Sequence, residues 1–176
     1  DKRTTLEMGF EHLLKLAGGA PETPLPLPTG SPYGTVEIDA AKCTLCKACV
    51  GACPSKALTE APDALQLRFR ERSCVQCGLC VATCPEDALS LSARLDLRPA
   101  ARQPRVLHED PPCHCVRCGK PFGSTAAVAR IVDKLAGNPH FATEQQRRRL
   151  QMCGDCRVVD MMGPADGRPE MTAYDA

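Results

Sequence analysis

Tryptophan is absent from this 176-residue chain, and aromatic side chains make up only 3% of it. A core built on large rings is excluded, and so are the stacking platforms that single-stranded nucleic acids need. Lys and Arg number 22 against 21 Asp and Glu, a formal charge of +1, so no bulk attraction to a polyanion or an acidic membrane is expected. The one basic run, Arg147–Arg149, is too short to replace a broad basic stripe. No apolar stretch approaches the ~20 residues that cross a bilayer, and nothing resembles a secretory leader. The chain also lacks a phosphate-cradling glycine-rich loop and a nucleophile–base constellation. His108 and His140 stand without partners that would point to catalysis. Substrate chemistry by this chain itself is not expected.

What the chain has in excess is cysteine, 13 residues, with 16 prolines. Such a load means either a secreted disulfide scaffold or metal sites in a reducing compartment. Eight of the cysteines fall in two copies of one pattern, Cys43-x-x-Cys46-x-x-Cys49-x-x-x-Cys53-Pro54 and Cys74-x-x-Cys77-x-x-Cys80-x-x-x-Cys84-Pro85. Cysteines that close in sequence do not bridge one another comfortably. The metal reading wins and implies the cytosol or another reducing compartment. Three thiolates spaced two residues apart can wrap one iron–sulfur cube from a single loop. The fourth, a short helical turn further on, points away and serves the other cube.

Around these motifs the chain divides readily. Residues 1–19 hold an N-terminal amphipathic helix over 4–17, with Leu6, Phe10, Leu13 and Leu14 as its apolar stripe and Gly18-Gly19 as its stop. It packs on its own domain or docks a partner, with His12 facing solvent. Residues 20–34 carry five prolines and should run extended along a surface as a strap, with Leu25 and Leu27 as anchors. Strands are predicted at Thr35–Ile38, Ala64–Phe69 and Leu89–Leu95, with turns after Pro54 and Pro85. Val50 matches Val81, Ala57 matches Ala88 and Leu58 matches Leu89, small apolar positions that would close over the cubes. Residues 98–112, rich in Arg and Pro, read as a solvated linker, and 163–176 as a tail.

Residues 35–95, within a domain bounded at 35–97, resemble the bacterial two-cluster [4Fe–4S] ferredoxin family, and both cysteine motifs match without departure. The resemblance implies an α+β, ferredoxin-like domain of pseudo-twofold form. It implies one cluster held by Cys43, Cys46, Cys49 and Cys84, and a second held by Cys74, Cys77, Cys80 and Cys53. Within 35–97, seven Lys and Arg face eight Asp and Glu. That near-neutral balance favours a fixed subunit or embedded domain over a diffusing carrier.

Residues 113–162 form a second module. Cys115-x-x-Cys118-Gly119 makes a knuckle-like turn, and Cys153-Gly154-Asp155-Cys156 supplies another pair. Two such pairs make a tetrahedral four-thiolate site, suited to Zn or alternatively to a single Fe. Cys113 or His114 are alternative ligands. Between the pairs, Val128, Ile131, Val132 and Leu135 mark a helix that starts after Ser124 and stops at Gly137, and Glu144–Met152 marks another. A small helical zinc-binding module with four cysteine ligands is expected.

The layout over residues 30–162 also resembles the C-terminal region of iron–sulfur proteins associated with molybdenum- or tungsten-dependent formate dehydrogenases. That likeness implies an electron-transfer role beside a redox partner protein of that class. Electron relay is the expected function. The competing expectation is a redox-sensing or assembly module that docks a partner through the zinc site and the N-terminal helix.

Overall fold

The structure, a computed structural model, describes residues 2–163; most of the expected tail at 163–176 lies outside the described residues. The chain forms two compact units, Asp1–Glu109 and Asp110–Ala176.

The first unit opens with α1 (Lys2–Leu16) and the two-residue strand β1 (Leu25–Pro26). Then come β2 (Gly34–Ile38), α2 (Ala48–Ala52), β3 (Leu58–Glu60) and β4 (Gln66–Phe69). The unit ends with α3 (Leu79–Thr83), β5 (Leu89–Leu95) and β6 (Arg105–Glu109). The two cysteine copies fold alike but do not pair within themselves. β2, which leads into the first loop, pairs antiparallel with β5, which follows the second, setting Val36 opposite Leu91 and Ile38 opposite Leu89. β3, which follows the first loop, pairs with β4, which leads into the second, Leu58 opposite Phe69. Each sheet takes one strand from each copy, so neither copy buries its apolar face alone. Val36, Leu58, Leu67, Phe69 and Leu89 form the buried core between the sheets, together with Cys49, Cys74 and Cys80.

Both sheets gain a third strand from outside the repeat. β1 pairs with β5, Leu25 opposite Leu95, so the proline-rich strap runs as an edge strand. Leu27 is half-buried, whereas Leu25 stays exposed. The second addition departs from the expected linker at 98–112. Pro99–Arg102 forms a 3-10 turn, and β6 pairs with β4. Leu107 packs against the core, and the Arg105 guanidinium lies 5.5 Å above the Phe69 ring and donates to Thr35 Oγ1 at 2.9 Å. The flanking Arg and Pro residues conceal this strand, because its single inward aliphatic side chain gives no alternation to read.

α1 packs on its own unit through Phe10 and Leu14 of the expected stripe, but its other inward residues, Arg3 and Glu7, are charged. Arg3 donates to the carbonyls of Arg72 at 2.8 Å and Cys74 at 2.9 Å, and Glu7 accepts from Arg72 Nε at 3.0 Å. Phe10 meets Tyr33 edge-on, and Arg102 donates to Glu11 at 2.5 Å. Leu6, Met8, Leu13 and Leu16 are left 52%, 66%, 61% and 73% exposed. The ground beneath the helix is the polar 3-10 turn at Glu71–Ser73, which recruits charge rather than leucine.

In the second unit the hairpin of β7 (Pro112–His114) and β8 (Pro121–Ser124) precedes α4 (Thr125–Leu135), α5 (Glu144–Arg149) and α6 (Gly154–Met162). Ser124 caps α4 by accepting from the Ala127 N–H at 3.1 Å, the predicted start. Of the predicted stripe, Val128 is buried and Ile131 is 48% exposed. α5 begins with a capping box between Thr143 and Gln146 and ends at Arg149, short of the predicted Met152. Residues 150–153 instead turn the chain toward the second cysteine pair. The hairpin is not legible in the sequence, because its strands are too short for a period.

Candidate metal centres

Among the described residues, five non-glycine residues have positive φ, and they lie at corresponding places around the two cysteine loops. Leu45 (53°) corresponds to Gln76 (54°), Lys56 (51°) to Asp87 (47°), and Lys47 (62°) to Gly78 (78°). An L-residue held left-handed costs about 1–2 kcal/mol, so the same strain at the same places needs a common cause. That cause is the direction of the N–H groups. The N–H of Gln76 donates to Cys74 Sγ at 3.4 Å, and the N–H of Ala88, just after Asp87, donates to Cys84 Sγ at 3.3 Å.

Two cavities lie within the loops. One is lined by Cys74, Cys77, Cys80 and Cys53, with Val36, Leu58 and Phe69 behind them. The other is lined by Cys43, Cys46, Cys49 and Cys84, with Leu45, Leu67 and Leu89. Each cavity gathers three cysteines of one motif and the fourth of the other. Cys46 and Cys77 are exposed, so both cavities reach the surface at their second cysteine.

The thiols in these cavities are not suited to stand together without a cation. Burial pushes the Cys49 thiol up to about 12, with Cys43, Cys46 and Cys80 adding to it. Burial also raises Cys74 and Cys80. Cys53 goes the other way: burial opposes its ionisation, but the Leu58 and Ala57 N–H groups and the Ser55 hydroxyl outweigh it. Inward N–H donors, apolar walls and crowded thiols together fit a negatively charged sulfur cluster whose iron supplies the missing positive charge.

In the second unit Cys115, Cys118, Cys153 and Cys156 converge, their sulfurs all within 4.8 Å of one another. Cys118 Sγ and Cys153 Sγ are 3.7 Å apart. A tetrahedron with metal–sulfur bonds of about 2.3 Å has an edge of about 3.8 Å, so the four thiols fit a Zn-sized ion. Gly119, at φ 74°, lets the first knuckle close, with its N–H on the Cys115 carbonyl at 2.9 Å. Cys153 sits at the N-cap of α6 and Cys156 in its first turn. The Val116 N–H reaches the Gln151 carbonyl at 3.1 Å and ties the knuckles together. Burial opposes ionisation of Cys115, but the N–H groups of Cys118, Cys153 and Arg117 overcome it and lower its thiol to about 6. Cys156 is pushed up to about 12 by burial and by its three sulfur neighbours. Cys113 and His114 lie on β7 outside this group, so the structure brings together the four cysteines of the two pairs and neither alternative.

Among the described residues no helix is long and apolar enough to cross a membrane. Residues 35–85 match the 4Fe-4S dicluster domain family. Formate hydrogenlyase subunit 6 of Escherichia coli (strain K12) is 35% identical to this chain over 146 residues, covering 80% of this chain and 81% of that protein. The chain belongs to the iron–sulfur protein family of formate hydrogenlyase subunit 6.

Proposed function

We propose that this chain is an electron-relay subunit that carries two [4Fe–4S] clusters and serves a partner oxidoreductase. The observation that carries the reading is the pair of cavities, each lined by three cysteines of one motif and the fourth of the other. In this reading Cys43, Cys46, Cys49 and Cys84 hold one cluster, and Cys74, Cys77, Cys80 and Cys53 hold the other, in a pseudo-twofold ferredoxin-like domain. When bound, the clusters supply one-electron transfer. The residues around them supply the rest. N–H groups at the left-handed turns stabilise sulfur charge, Val36, Leu58, Leu67 and Leu89 exclude water, and the exposed Cys46 and Cys77 edges are where a redox partner approaches. All eight cysteines are committed to ligation, which leaves no iron open to substrate, so the chain is a carrier and not itself an enzyme.

Cys115, Cys118, Cys153 and Cys156 hold a structural Zn, with a single Fe as the other ion that fits four thiolates. The relative's name, a subunit of formate hydrogenlyase, supports a multi-subunit oxidoreductase as the partner, of the molybdenum- or tungsten-dependent formate dehydrogenase type, in the cytoplasm. Anaerobic metal analysis with EPR on the reduced protein tests the reading. About eight Fe and about one Zn per chain are expected, with interacting cluster signals. Four Fe or fewer in fully loaded protein would refute it.

One observation favours the alternative of an assembly or sensing module: the exposed leucines of α1, which a docking partner would cover. Clusters that stay oxidised at every potential the partner can reach would favour that role over relay.

A further inference from the structure

The two cavities carry different side chains at corresponding places, and the difference falls on the sulfurs. Gln76 lies between Cys74 and Cys77, and its side-chain Nε2 donates to Cys74 Sγ at 3.4 Å and to the Thr35 carbonyl at 3.2 Å. The Thr35 carbonyl only accepts, so it fixes which end of the amide faces inward. The –NH2 has two hydrogens, one for each acceptor. Gly34 makes the room: a Cβ there would lie 2.5 Å from Gln76 Cδ. Thr35 is 1% exposed, so the amide is oriented from a site that water does not reach. Across the cavity the Ser55 hydroxyl oxygen lies 3.6 Å from Cys53 Sγ. Gln76 and Ser55 belong to different cysteine copies. They meet at one cavity because Cys53 crosses to join Cys74, Cys77 and Cys80.

In the other copy Leu45 corresponds to Gln76, at φ 53°, and it lines the Cys43 cavity. Glu86 corresponds to Ser55. A leucine side chain has no hydrogen to give to sulfur. Lys47 also lines the Cys43 cavity, but its ammonium is paired with Glu60, which offsets its charge.

We propose that Gln76, supported by Ser55, raises the reduction potential of the cluster held by Cys53, Cys74, Cys77 and Cys80. This rests on the two-cluster reading above. One electron from the redox partner enters the cluster, no proton or bond changes hands, and the added negative charge spreads onto the sulfurs. A donor to sulfur therefore stabilises the reduced form more than the oxidised form. Gln76 acts through the sulfur, as a tuning residue and not a ligand.

The test is an EPR-monitored potentiometric titration of the intact, fully loaded protein, wild type beside Gln76→Leu and Ser55→Ala. Leucine already occupies the corresponding left-handed position, so Gln76→Leu is compatible with the turn. At the wild-type midpoint of the affected cluster, Gln76→Leu should lower the ratio of reduced to oxidised form about tenfold, which is about 59 mV for one electron. The other midpoint should stay in place, and Ser55→Ala should shift the same cluster by less. Unchanged midpoints at full iron content, or equal shifts in both clusters, would overturn the proposal. If Gln76→Leu fails to load, Gln76→Met keeps the length without the donors and is judged by the same outcomes. Wild-type protein with about four Fe would fail the two-cluster reading itself, read from the metal count before any titration, and would take the proposal with it.

Discussion

Removing one thiolate from the second unit separates a metal-built fold from an ordinary small core. Around the four cysteines the buried residues are Cys115, Met152, Cys153 and Cys156, with Phe122 packed against them, so three of the four buried side chains are proposed ligands. Met152 contributes about 2 kcal/mol by burial, whereas structural Zn in small peptides contributes an apparent 10–16 kcal/mol. Dividing the metal's share evenly over four ligands assigns Cys156 about 3 kcal/mol, or roughly 100-fold in Zn affinity. Cys156→Ser should therefore release Zn to a competing chelator at about 100-fold lower chelator strength than wild type. Because Cys156 lies in the first turn of α6 and Val116 is bonded to Gln151, the amides of both knuckles and of α6 should lose hydrogen-exchange protection together. The first unit shares none of these ligands and should keep its cluster absorbance. Unchanged Zn retention with unchanged exchange would refute the reasoning, and so would wild-type protein that retains its fold after the metal has been stripped.

The exchange of fourth cysteines predicts that Cys84→Ala removes the cluster of the Cys43 loop and Cys53→Ala that of the Cys74 loop; each variant should keep about half the iron, and EPR of the two should be complementary. Glu7→Ala leaves Arg72, whose side chain is 6% exposed, without its carboxylate and should cost about 2–3 kcal/mol, below the 3–5 expected of a fully buried pair because Glu7 is itself 22% exposed, read as a lower denaturation midpoint at unchanged iron content. Lys56→Gly relieves a left-handed residue and should raise the thermal midpoint by the equivalent of up to about 1 kcal/mol, whereas Lys56→Val should lower it; equal effects of the two would show that the turn is unstrained. Gly34→Ala would set a Cβ 2.4 Å from the Ser92 carbonyl oxygen and should weaken the β2–β5 pairing, seen as faster exchange of the Val36 amide.

The sequence made some of this architecture plain because the relevant signals are local. Leu89–Leu95 was readable from its alternation, Ser124 from its place before a periodic stripe, and the cysteine loops from spacing alone. Gathering of Cys115, Cys118, Cys153 and Cys156 followed from the two C-x-x-C pairs, although 34 residues separate them. The hidden features depend on partners distant in sequence. Strand β6 is defined by β4, and the inward face of α1 is defined by Arg72 and Tyr33, so of the hydrophobic stripe drawn on residues 6–14 only Phe10 and Leu14 turn inward, beside Arg3 and Glu7. Gln76 reads as an ordinary polar loop residue until Thr35 and the space left by Gly34 are seen beside it.

The pairing pattern also explains why the motif is duplicated. A single copy would supply three thiols to its own cavity and send the fourth away, and its two strands would have no partner in their own half. Exchange of β3 and β5 between the copies carries Cys53 and Cys84 across with them, because each fourth cysteine immediately precedes the turn into its exchanged strand. In the proposed two-cluster reading, strand exchange and ligand exchange therefore go together. The additions at β1 and β6 extend this logic to the rim: each lies against the middle strand of a sheet, and β1 places Pro26, which has no N–H to offer, opposite Arg94 at the outer edge. The proposed relay would be served by this arrangement, which holds the two cysteine cavities at a constant spacing, since moving one relative to the other would require breaking ladders in both sheets.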